Sequence, residues 1–181
     1  MDNKYLIVVD MQKDFVDGAL GTPEAVQIVP AVLQKIKGFP GKVIFTKDTH
    51  TPDYMSTQEG KYLPVPHCIR GTDGWELTDA LAAIQKENHF PVYEKVTFGC
   101  PALGQALCEA HTKNPISSIE LVGLCTDICV VSNALLLKAF LPEVEIRVDA
   151  SCCAGVTPKA HSAALATLQS CQVQITGAEQ M

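Results

Sequence analysis

The chain has 181 residues, 47% of them hydrophobic and 19% charged, and a chain of this kind can bury a sizeable core, which excludes wholesale disorder. Fourteen Lys and Arg residues against twenty Asp and Glu residues give a net charge of -6. This balance excludes the broad positive surface that binds nucleic acid or anionic lipid. We therefore expect one domain over residues 1–181 that acts on a small molecule.

Short apolar runs alternate with segments of helical periodicity along the chain. We predict strands at 5–9, 42–46, 92–95, 118–122, 145–148 and 172–175. We predict helices at 23–37, 75–86, 101–111, 126–140 and 158–169. The first strand is apolar at consecutive positions from Leu6 to Val9, which is typical of a strand that helices cover on both faces. This order predicts an α/β protein with three αβα layers around a six-stranded parallel sheet.

The amino-terminal sequence and the length of the apolar stretches predict the cellular compartment of the protein. The first apolar run stops at Asp10 and is too short for the apolar region of a secretory signal. No apolar stretch approaches the roughly 20 residues that span a bilayer. We therefore expect a cytoplasmic protein whose eight cysteines are reduced rather than paired in a disulfide framework.

The segment 50–74 does not fit the alternation of strands and helices, because it contains several Pro and Gly residues and has no sustained hydrophobic periodicity. We expect it to lack regular secondary structure. Loops of roughly 25 residues without such structure are uncommon in compact domains and are usually functional. The loop therefore predicts a bound ligand or metal that anchors it.

Polar residues follow directly after the predicted strands, where parallel sheets bind their ligands. Any one of them can also be a solvated strand end, but together they lie on one edge of the sheet. They are Asp10, Asp48, Lys95, the segment 125–129 and Asp149.

Cys129 is the candidate nucleophile within this set. It lies in the first turn of a predicted helix that Thr126 or Asp127 would cap, where free N–H groups stabilise a thiolate. The alternative is a small buried hydrophobe, which describes most free cysteines. Asp10 beside Lys95 supplies the base, since the ammonium can stabilise the carboxylate charge.

Carboxylate and imidazole side chains gather around the start of the long loop. Asp48 and His50 are two residues apart, so an extended backbone puts both on one side, and Glu59 and His67 follow. Such ligands suit one divalent ion, Zn²⁺, Fe²⁺ or Mn²⁺, although an isolated Asp-x-His is usually two surface residues. Because the loop needs an anchor, we predict a metal-binding loop at about 48–74.

The remaining histidines, His89, His111 and His161, have no such neighbours in the sequence and are interpreted as surface or packing residues. The C-x3-C spacing of Cys125 and Cys129 does not match the paired C-x2-C pattern of zinc knuckles. We therefore interpret the other cysteines as structural.

Five segments together carry a resemblance to a known family. The chain resembles the isochorismatase-like cysteine hydrolases over nearly its whole length, and within them it is most similar to nicotinamidases. The segments are Val9-Asp10-Met11-Gln12, Thr46-Lys47-Asp48-Thr49-His50, Pro66-His67-Cys68-Ile69-Arg70-Gly71-Thr72-Asp73-Gly74, Glu94-Lys95 and Gly123-Leu124-Cys125-Thr126-Asp127-Ile128-Cys129-Val130.

The resemblance implies the catalytic roles and the fold. The family's catalytic Asp, Lys and Cys fall on Asp10, Lys95 and Cys129, and its fold is a six-stranded parallel sheet with helices on both faces. The family also implies a cis peptide between Leu124 and Cys125. That bond would turn the backbone N–H groups of Cys125 and Cys129 toward one point as an oxyanion hole.

The resemblance also implies the metal ligands. Nicotinamidases hold a metal through an Asp, a His two residues later and a further His, which match Asp48, His50 and His67. A further ligand varies within the family, and Glu59 is the candidate by resemblance to members with a Glu in this loop.

Two departures from the family pattern concern the substrate ring. Pro64 replaces a Trp that is often present, and Phe98-Gly99 replaces a Tyr-Ser pair. Phe15, Tyr62 and Phe98 are therefore our candidates for the substrate pocket.

The implied function is metal-dependent hydrolysis of nicotinamide to nicotinate and ammonia through a cysteine thioester, by a chain that forms homo-oligomers as the family often does. One alternative is another hydrolase of the family, acting on an N-carbamoyl or ureido amide or on a vinyl ether. The other is a catalytically idle binding or redox-sensing domain.

Overall fold

Six parallel strands form one sheet in the computed structural model, which describes residues 3–178. Residues 1–2 and 179–181 of the predicted domain lie outside the described part. The order across the sheet is β3-β2-β1-β4-β5-β6, so the predicted fold class is confirmed. The strands are β1 (Lys4–Val9), β2 (Lys42–Asp48), β3 (Val92–Lys95), β4 (Ser118–Leu124), β5 (Glu145–Ala154) and β6 (Gln174–Thr176).

Helices cover both faces of this sheet. Helices α1, α2 and α4 contribute apolar side chains to one core and α5, α6 and α7 to the other. None of the helices within residues 3–178 is long and apolar enough to cross a membrane. The helices are α1 (Lys13–Val16), α2 (Pro23–Gly38), α3 (Gln58–Tyr62), α4 (Asp79–Glu87), α5 (Pro101–Lys113), α6 (Val131–Phe140) and α7 (Pro158–Ser170).

The central strand β1 shows why the sequence is apolar at consecutive positions. Side chains alternate between the two faces of a strand, so Ile7 packs in the core with α5 to α7, and Leu6 and Val8 pack in the other core. All three are completely buried. A strand covered on both faces therefore needs apolar residues on both.

Two predicted element boundaries are wrong because contacts with distant parts of the chain decide the secondary structure of the residues concerned. Strand β5 continues past Val148, so Asp149 is an internal strand residue that pairs with Lys35 at 2.5 Å and is not part of the strand-end site. The helix predicted at 75–86 begins at Asp79, because Leu77 instead forms an antiparallel bridge with Gln12.

Two local predictions are also corrected. The 50–74 loop is not devoid of regular structure, since it contains a 3-10 turn at Tyr54–Ser56 and helix α3. The helix predicted at 126–140 begins with a π-helical turn at Thr126–Val130, and no side chain caps that turn. The expected cap by Thr126 or Asp127 is therefore wrong.

The strand order defines the position along the sheet edge where a ligand is expected to bind. Counting outward from the centre, the chain runs β1, β2, β3 in one direction and β4, β5, β6 in the other. In open parallel sheets, ligands bind beyond the carboxyl ends of the strands at this point of reversal. The residues after β1 and β4, which include Asp10 and the segment 125–129, lie at that point.

Replacement of Ile7 tests the contribution of the central strand. Ile7→Ala removes buried methyl groups and leaves a cavity between the sheet and helices α5 to α7, so we expect a loss of about 2–5 kcal/mol in the free energy of unfolding. Val26→Ala is the control, because Val26 is 48% exposed and should change stability by no more than about 0.5 kcal/mol. Urea denaturation measures both, and equal losses would contradict the assignment of β1 to the core.

Candidate active site and metal centre

Lys95 and Asp10 form a buried ion pair at the reversal point of the sheet. Lys95 is the last residue of β3. Its ammonium lies 2.7 Å from Asp10 Oδ2, and both side chains are almost completely buried. The Thr46 hydroxyl donates a hydrogen bond of 2.6 Å to the other oxygen, Asp10 Oδ1. Asp10 has a φ of +47°, a left-handed conformation that Asp tolerates better than most residues. Its carboxylate is therefore held from two sides.

Burial and charge shift the pKa of both partners. Burial raises the pKa of Asp10 above its usual value, and the Lys95 ammonium only partly offsets this effect. For Lys95, burial opposes the charged form, but Asp10, Cys129 and Asp48 outweigh it, so the pKa of Lys95 is raised. Lys95 therefore stays a cation, and Asp10 is a stronger base than an ordinary carboxylate.

Cys129 lies beside the same ammonium, with its sulfur 3.4 Å from Lys95 Nζ. Burial, and next the charge of Asp10, raise the pKa of the Cys129 thiol well above its usual value, while Lys95 lowers it. Burial therefore opposes the thiolate that we expect the helix terminus to stabilise. The sulfur is a thiol that needs a base, and Asp10 is within the same cluster.

Asp48 connects this cluster to a second one. Its Oδ1 lies 3.4 Å from Lys95 Nζ, and its Oδ2 lies 3.0 Å from His50 Nε2 and 3.6 Å from His67 Nε2. The Gln12 side chain fixes the backbone of Asp48, since Gln12 Oε1 accepts from its N–H at 2.7 Å and Gln12 Nε2 donates to its carbonyl at 2.8 Å. The position of Asp48 is thus set by strand β2 and a buried amide.

Four side chains of the second cluster have ligand atoms within 4.8 Å of one another: Asp48, His50, Glu59 and His67. Glu59 Oε1 lies 3.7 Å from Nε2 of each histidine. Glu59 is the most exposed of the four. These are the four residues that the sequence predicts as ligands.

The donor atoms of this cluster fit a divalent ion. His67 Nδ1 lies 2.8 Å from the Val65 carbonyl oxygen; because a carbonyl only accepts, Nδ1 carries the proton and Nε2 keeps its lone pair in the neutral ring. Nε2 of His50 is buried without a hydrogen bond within the described part of the chain, since its 3.0 Å contact with Asp48 lacks hydrogen-bond geometry. Such an unsatisfied buried atom is costly unless it binds something.

Backbone contacts tie the long loop to the sheet. His50 N–H donates to the Cys68 carbonyl at 2.9 Å, and Arg70 N–H donates to the His50 carbonyl at 2.9 Å. The Cys68 N–H donates to Asp14 Oδ2 at 2.8 Å, and the Asp14 N–H donates to the Gly74 carbonyl at 3.0 Å. His67 is therefore held beside His50 by pairing of the loop with the end of β2 and with α1.

Both clusters open into one cavity of about 700 Å³. Its lining includes Cys129 and the candidate metal ligands Asp48, Glu59 and His67. The three predicted pocket residues also line it, with side chains exposed to different degrees: Phe15 is 8% exposed, Phe98 46% and Tyr62 85%. A small molecule inside the cavity can therefore approach both the thiol and the metal cluster.

The turn after β4 carries two cysteines with different surroundings. The peptide between Leu124 and Cys125 is cis, as the resemblance implies. Cys125 also lines the cavity, and burial raises the pKa of its thiol to about 12. The ammonium of Lys95 contacts Cys129, so Cys129 is the better placed of the two as a nucleophile.

Sequence reasoning missed several contributors to the site. Thr46 and Gln12 act through side-chain hydrogen bonds. The only sign of this in the sequence is that both lie in segments that carry the family resemblance. His161 is not merely a packing residue, because its Nδ1 lies 2.8 Å from the hydroxyl of Thr126 in the turn before Cys129. Such partners are distant in sequence, so no local pattern identifies them.

Comparison with known proteins identifies the family. A model described as the isochorismatase domain matches residues 4–180. The chain belongs to the isochorismatase domain family.

Individual relatives resemble this family member over almost all of their length. The curated relative "Uncharacterized isochorismatase family protein PncA" of Bacillus subtilis is 32% identical, covering 90% of this chain and 92% of the relative. The crystal structure of the nicotinamidase/pyrazinamidase PncA from Bacillus subtilis has a TM-score of 0.81 at 29% identity and covers 96% of this chain and 99% of that one. The pyrazinamidase of Pyrococcus horikoshii, solved in complex with zinc, has a TM-score of 0.75 at 25% identity and covers 96% and 98%.

Replacement of Asp14 tests how the loop of this isochorismatase-family protein is anchored. Asp14→Ala leaves the Cys68 N–H without its acceptor, so we expect peptides covering 67–74 to exchange their amide hydrogens at least roughly 10-fold faster. Asp17→Ala is the control, because Asp17 lies at the end of the same helix and is exposed. Hydrogen exchange read by mass spectrometry measures both; unchanged exchange in Asp14→Ala would refute the anchor.

Proposed function

We propose that the protein hydrolyses nicotinamide to nicotinate and ammonia through a thioester on Cys129. The chain is an amide hydrolase, as its nicotinamidase relatives and its isochorismatase-domain fold together indicate. The specific substrate and the residue roles are our proposal. The observation that carries it is that a thiol, a buried carboxylate and a metal-type cluster meet around one cavity.

Asp10 and Cys129 carry out the first half of the reaction. Asp10 accepts the proton of the Cys129 thiol, and the resulting thiolate attacks the carboxamide carbon. Because burial raises the pKa of Asp10, its carboxylate binds a proton more strongly than an ordinary carboxylate does, which favours this transfer. Asp10 then gives the proton to the departing amine, and ammonia leaves with a thioester on the sulfur.

Backbone N–H groups and Lys95 stabilise the charges that this step creates. The N–H groups of Cys125 and Cys129 are the proposed oxyanion hole, and such a donor is worth roughly 2.7–4 kcal/mol in the transition state. The Lys95 ammonium stays between the Asp10 carboxylate and the sulfur, at 2.7 and 3.4 Å. It therefore stabilises whichever of the two carries the negative charge.

Water completes the second half of the reaction. Asp10 accepts a proton from a water molecule, the hydroxide adds to the thioester carbon, and the carbon–sulfur bond breaks. Nicotinate leaves and the sulfur regains a proton. The same carboxylate thus serves as base, acid and base again, held in place by Thr46 and Lys95.

Asp48, His50, Glu59 and His67 are the proposed ligands of one divalent ion. When bound, such an ion supplies a Lewis acid for the ring nitrogen of a pyridine carboxamide. The chain itself contributes the walls of the cavity, where Phe15 packs against the ring of His67 with centroids 5.4 Å apart. These side chains orient a flat aromatic ring between the metal ligands and Cys129.

The alternative N-carbamoyl substrates suit this cavity less well. An N-carbamoyl amino acid carries a carboxylate, which needs a cation to bind it. Among the described residues that line the cavity there is no Lys or Arg, and Lys95 is already paired with Asp10 and Asp48. The lining side chains therefore favour a neutral aromatic amide, and an anionic amide would depend on the proposed divalent ion for its counter-charge.

Release of ammonia from nicotinamide tests the substrate directly. We expect steady turnover of nicotinamide with nicotinate as the second product, and much slower turnover of N-carbamoyl amino acids and vinyl ethers. Ammonia assays and product analysis on the same substrate panel measure this. Turnover of an N-carbamoyl compound or a vinyl ether but not of nicotinamide would refute the proposed substrate, and absence of turnover across the whole panel would favour the idle-domain alternative.

Cys129→Ala tests covalent catalysis. We expect at least a roughly 10³-fold loss of turnover with the fold retained, because no other group is placed to replace the nucleophile. Cys171→Ala is the matched control, since Cys171 is an exposed cysteine that is not among the residues lining the cavity, and it should keep full activity. Turnover retained by Cys129→Ala would exclude the thioester route.

Replacement of His50 tests the metal ligands. We expect about one divalent ion per chain in protein purified without chelators, and loss of most of it in His50→Ala, since one of four ligands is removed. His89→Ala is the matched control, because His89 is an exposed histidine outside the cluster. Elemental analysis measures metal content independently of activity, and equal content in the two variants would refute the assignment.

A further inference from the structure

Asn133 is a buried polar residue that the proposed mechanism does not use. It lies in α6, one helical turn after Cys129, and is only 1% exposed. Its Nδ2 donates to the Cys129 carbonyl at 2.8 Å and to the Phe98 carbonyl at 3.1 Å. Its Oδ1 accepts from the Cys100 N–H at 2.9 Å. The side chain therefore joins the turn of Cys129 to the segment after β3.

The contacts themselves fix the orientation of this amide. Both N–H bonds of Nδ2 face carbonyl oxygens and Oδ1 faces an N–H group, so the reversed orientation would place oxygen against oxygen. Both donors of the Asn133 amide are used, and a buried amide satisfied in this way holds its neighbours rigidly. No other uncharged side chain of similar size reproduces all three contacts.

The segment that Asn133 holds forms one wall of the cavity. Val96, Thr97 and Phe98 line it and are all exposed to solvent. The internal contact of this segment is a hydrogen bond from the Thr97 hydroxyl to the Gly99 carbonyl at 2.7 Å. Gly99 packs closely on α6, where an added Cβ would lie 3.3 Å from the Ser132 carbonyl oxygen.

This wall is attached at one end to Lys95 and at the other end to Asn133. Lys95 precedes it, with its ammonium between Asp10 and Cys129, and Cys100 follows it and bonds to Asn133. An exposed segment with few contacts is mobile by default. Asn133 thus links this segment directly to the turn that carries the nucleophile.

We propose that Asn133 is a positioning residue, which clamps the wall formed by residues 96–99 against the turn of Cys129 and so sets how substrate fits between Phe98 and the sulfur. The effect on substrate rests on the proposed function, whereas the clamp itself does not. Asn133 touches neither substrate nor reacting atoms; it acts through the carbonyls of Phe98 and Cys129.

Asn133→Thr separates the two halves of the clamp. A threonine hydroxyl in a helix can donate to the carbonyl four residues earlier, which is that of Cys129, but it cannot also reach Phe98 and Cys100. We therefore expect KM for nicotinamide to rise roughly 10-fold while kcat stays within about 3-fold, since loss of one or two such bonds costs about one order of magnitude. Asn133→Ala loses both halves, so kcat should fall roughly 10-fold as well.

Asn88→Thr is the matched control. Asn88 also donates its side-chain N–H to the carbonyl four residues earlier, Ile84, at 2.9 Å, but it lies at the exposed end of α4, away from the cavity. The same substitution there should leave KM, kcat and the exchange of residues 96–100 unchanged.

Hydrogen exchange read by mass spectrometry tests the clamp without any substrate. In both Asn133 variants we expect peptides covering 96–100 to exchange at least roughly 10-fold faster, with peptides of the central strands unchanged. If the wild-type protein does not hydrolyse nicotinamide, the proposed function fails while this comparison still decides the clamp.

Three results would overturn the proposal. The first is unchanged exchange of 96–100 in Asn133→Thr, and the second is faster exchange spread over the whole sheet, which would indicate a general loss of stability. The third is a local increase in exchange with an unchanged KM in an active enzyme. If Asn133→Ala does not fold, Asn133→Thr decides alone, and failure of both to fold would assign Asn133 a purely structural role.

Discussion

The site depends on one buried cation. The Lys95 ammonium lies within 3.4 Å of two carboxylates and a sulfur, those of Asp10, Asp48 and Cys129, and burial of these groups would be prohibitive without it. The sheet makes this possible, because β1, β2 and β4 end at the same edge and β3 delivers the lysine to it. Without the lysine, the buried carboxylate of Asp10 would lose the ammonium that lowers its pKa, whereas His50 and His67 would still lower the pKa of Asp48, a proposed metal ligand.

The reacting groups could be found from the sequence because one geometric rule applies to them. Parallel strands end at a common edge, so Asp10, Asp48 and Lys95 could be grouped from strand ends alone, although they are far apart along the chain. The same rule failed for Asp149, because β5 continues beyond the point where its apolar run stops. The polarity of Asp149 suggested that the strand ends there. The actual end of β5 is set by its hydrogen-bonded pairing with β4 and β6.

Other parts of the site could not be predicted because they depend on distant partners. Gln12 and Asn133 act through side-chain hydrogen bonds to backbone groups more than 30 positions away, and no periodicity or spacing encodes such contacts. The loop at 50–74 likewise acquires its order from pairing with α1 and the end of β2. Its composition predicts an irregular segment, whereas its structure results from its contacts with other elements of the folded chain.

The strand order also has a consequence for biosynthesis. Strand β1 is made first, yet one of its two neighbours is β4, which begins at Ser118. Until the ribosome has released that stretch, the growing half-sheet presents an apolar, unpaired edge on its innermost strand, the kind of edge that promotes association between nascent chains. The arrangement that creates the cleft thus leaves the central strand half-paired until more than half of the chain has been synthesised.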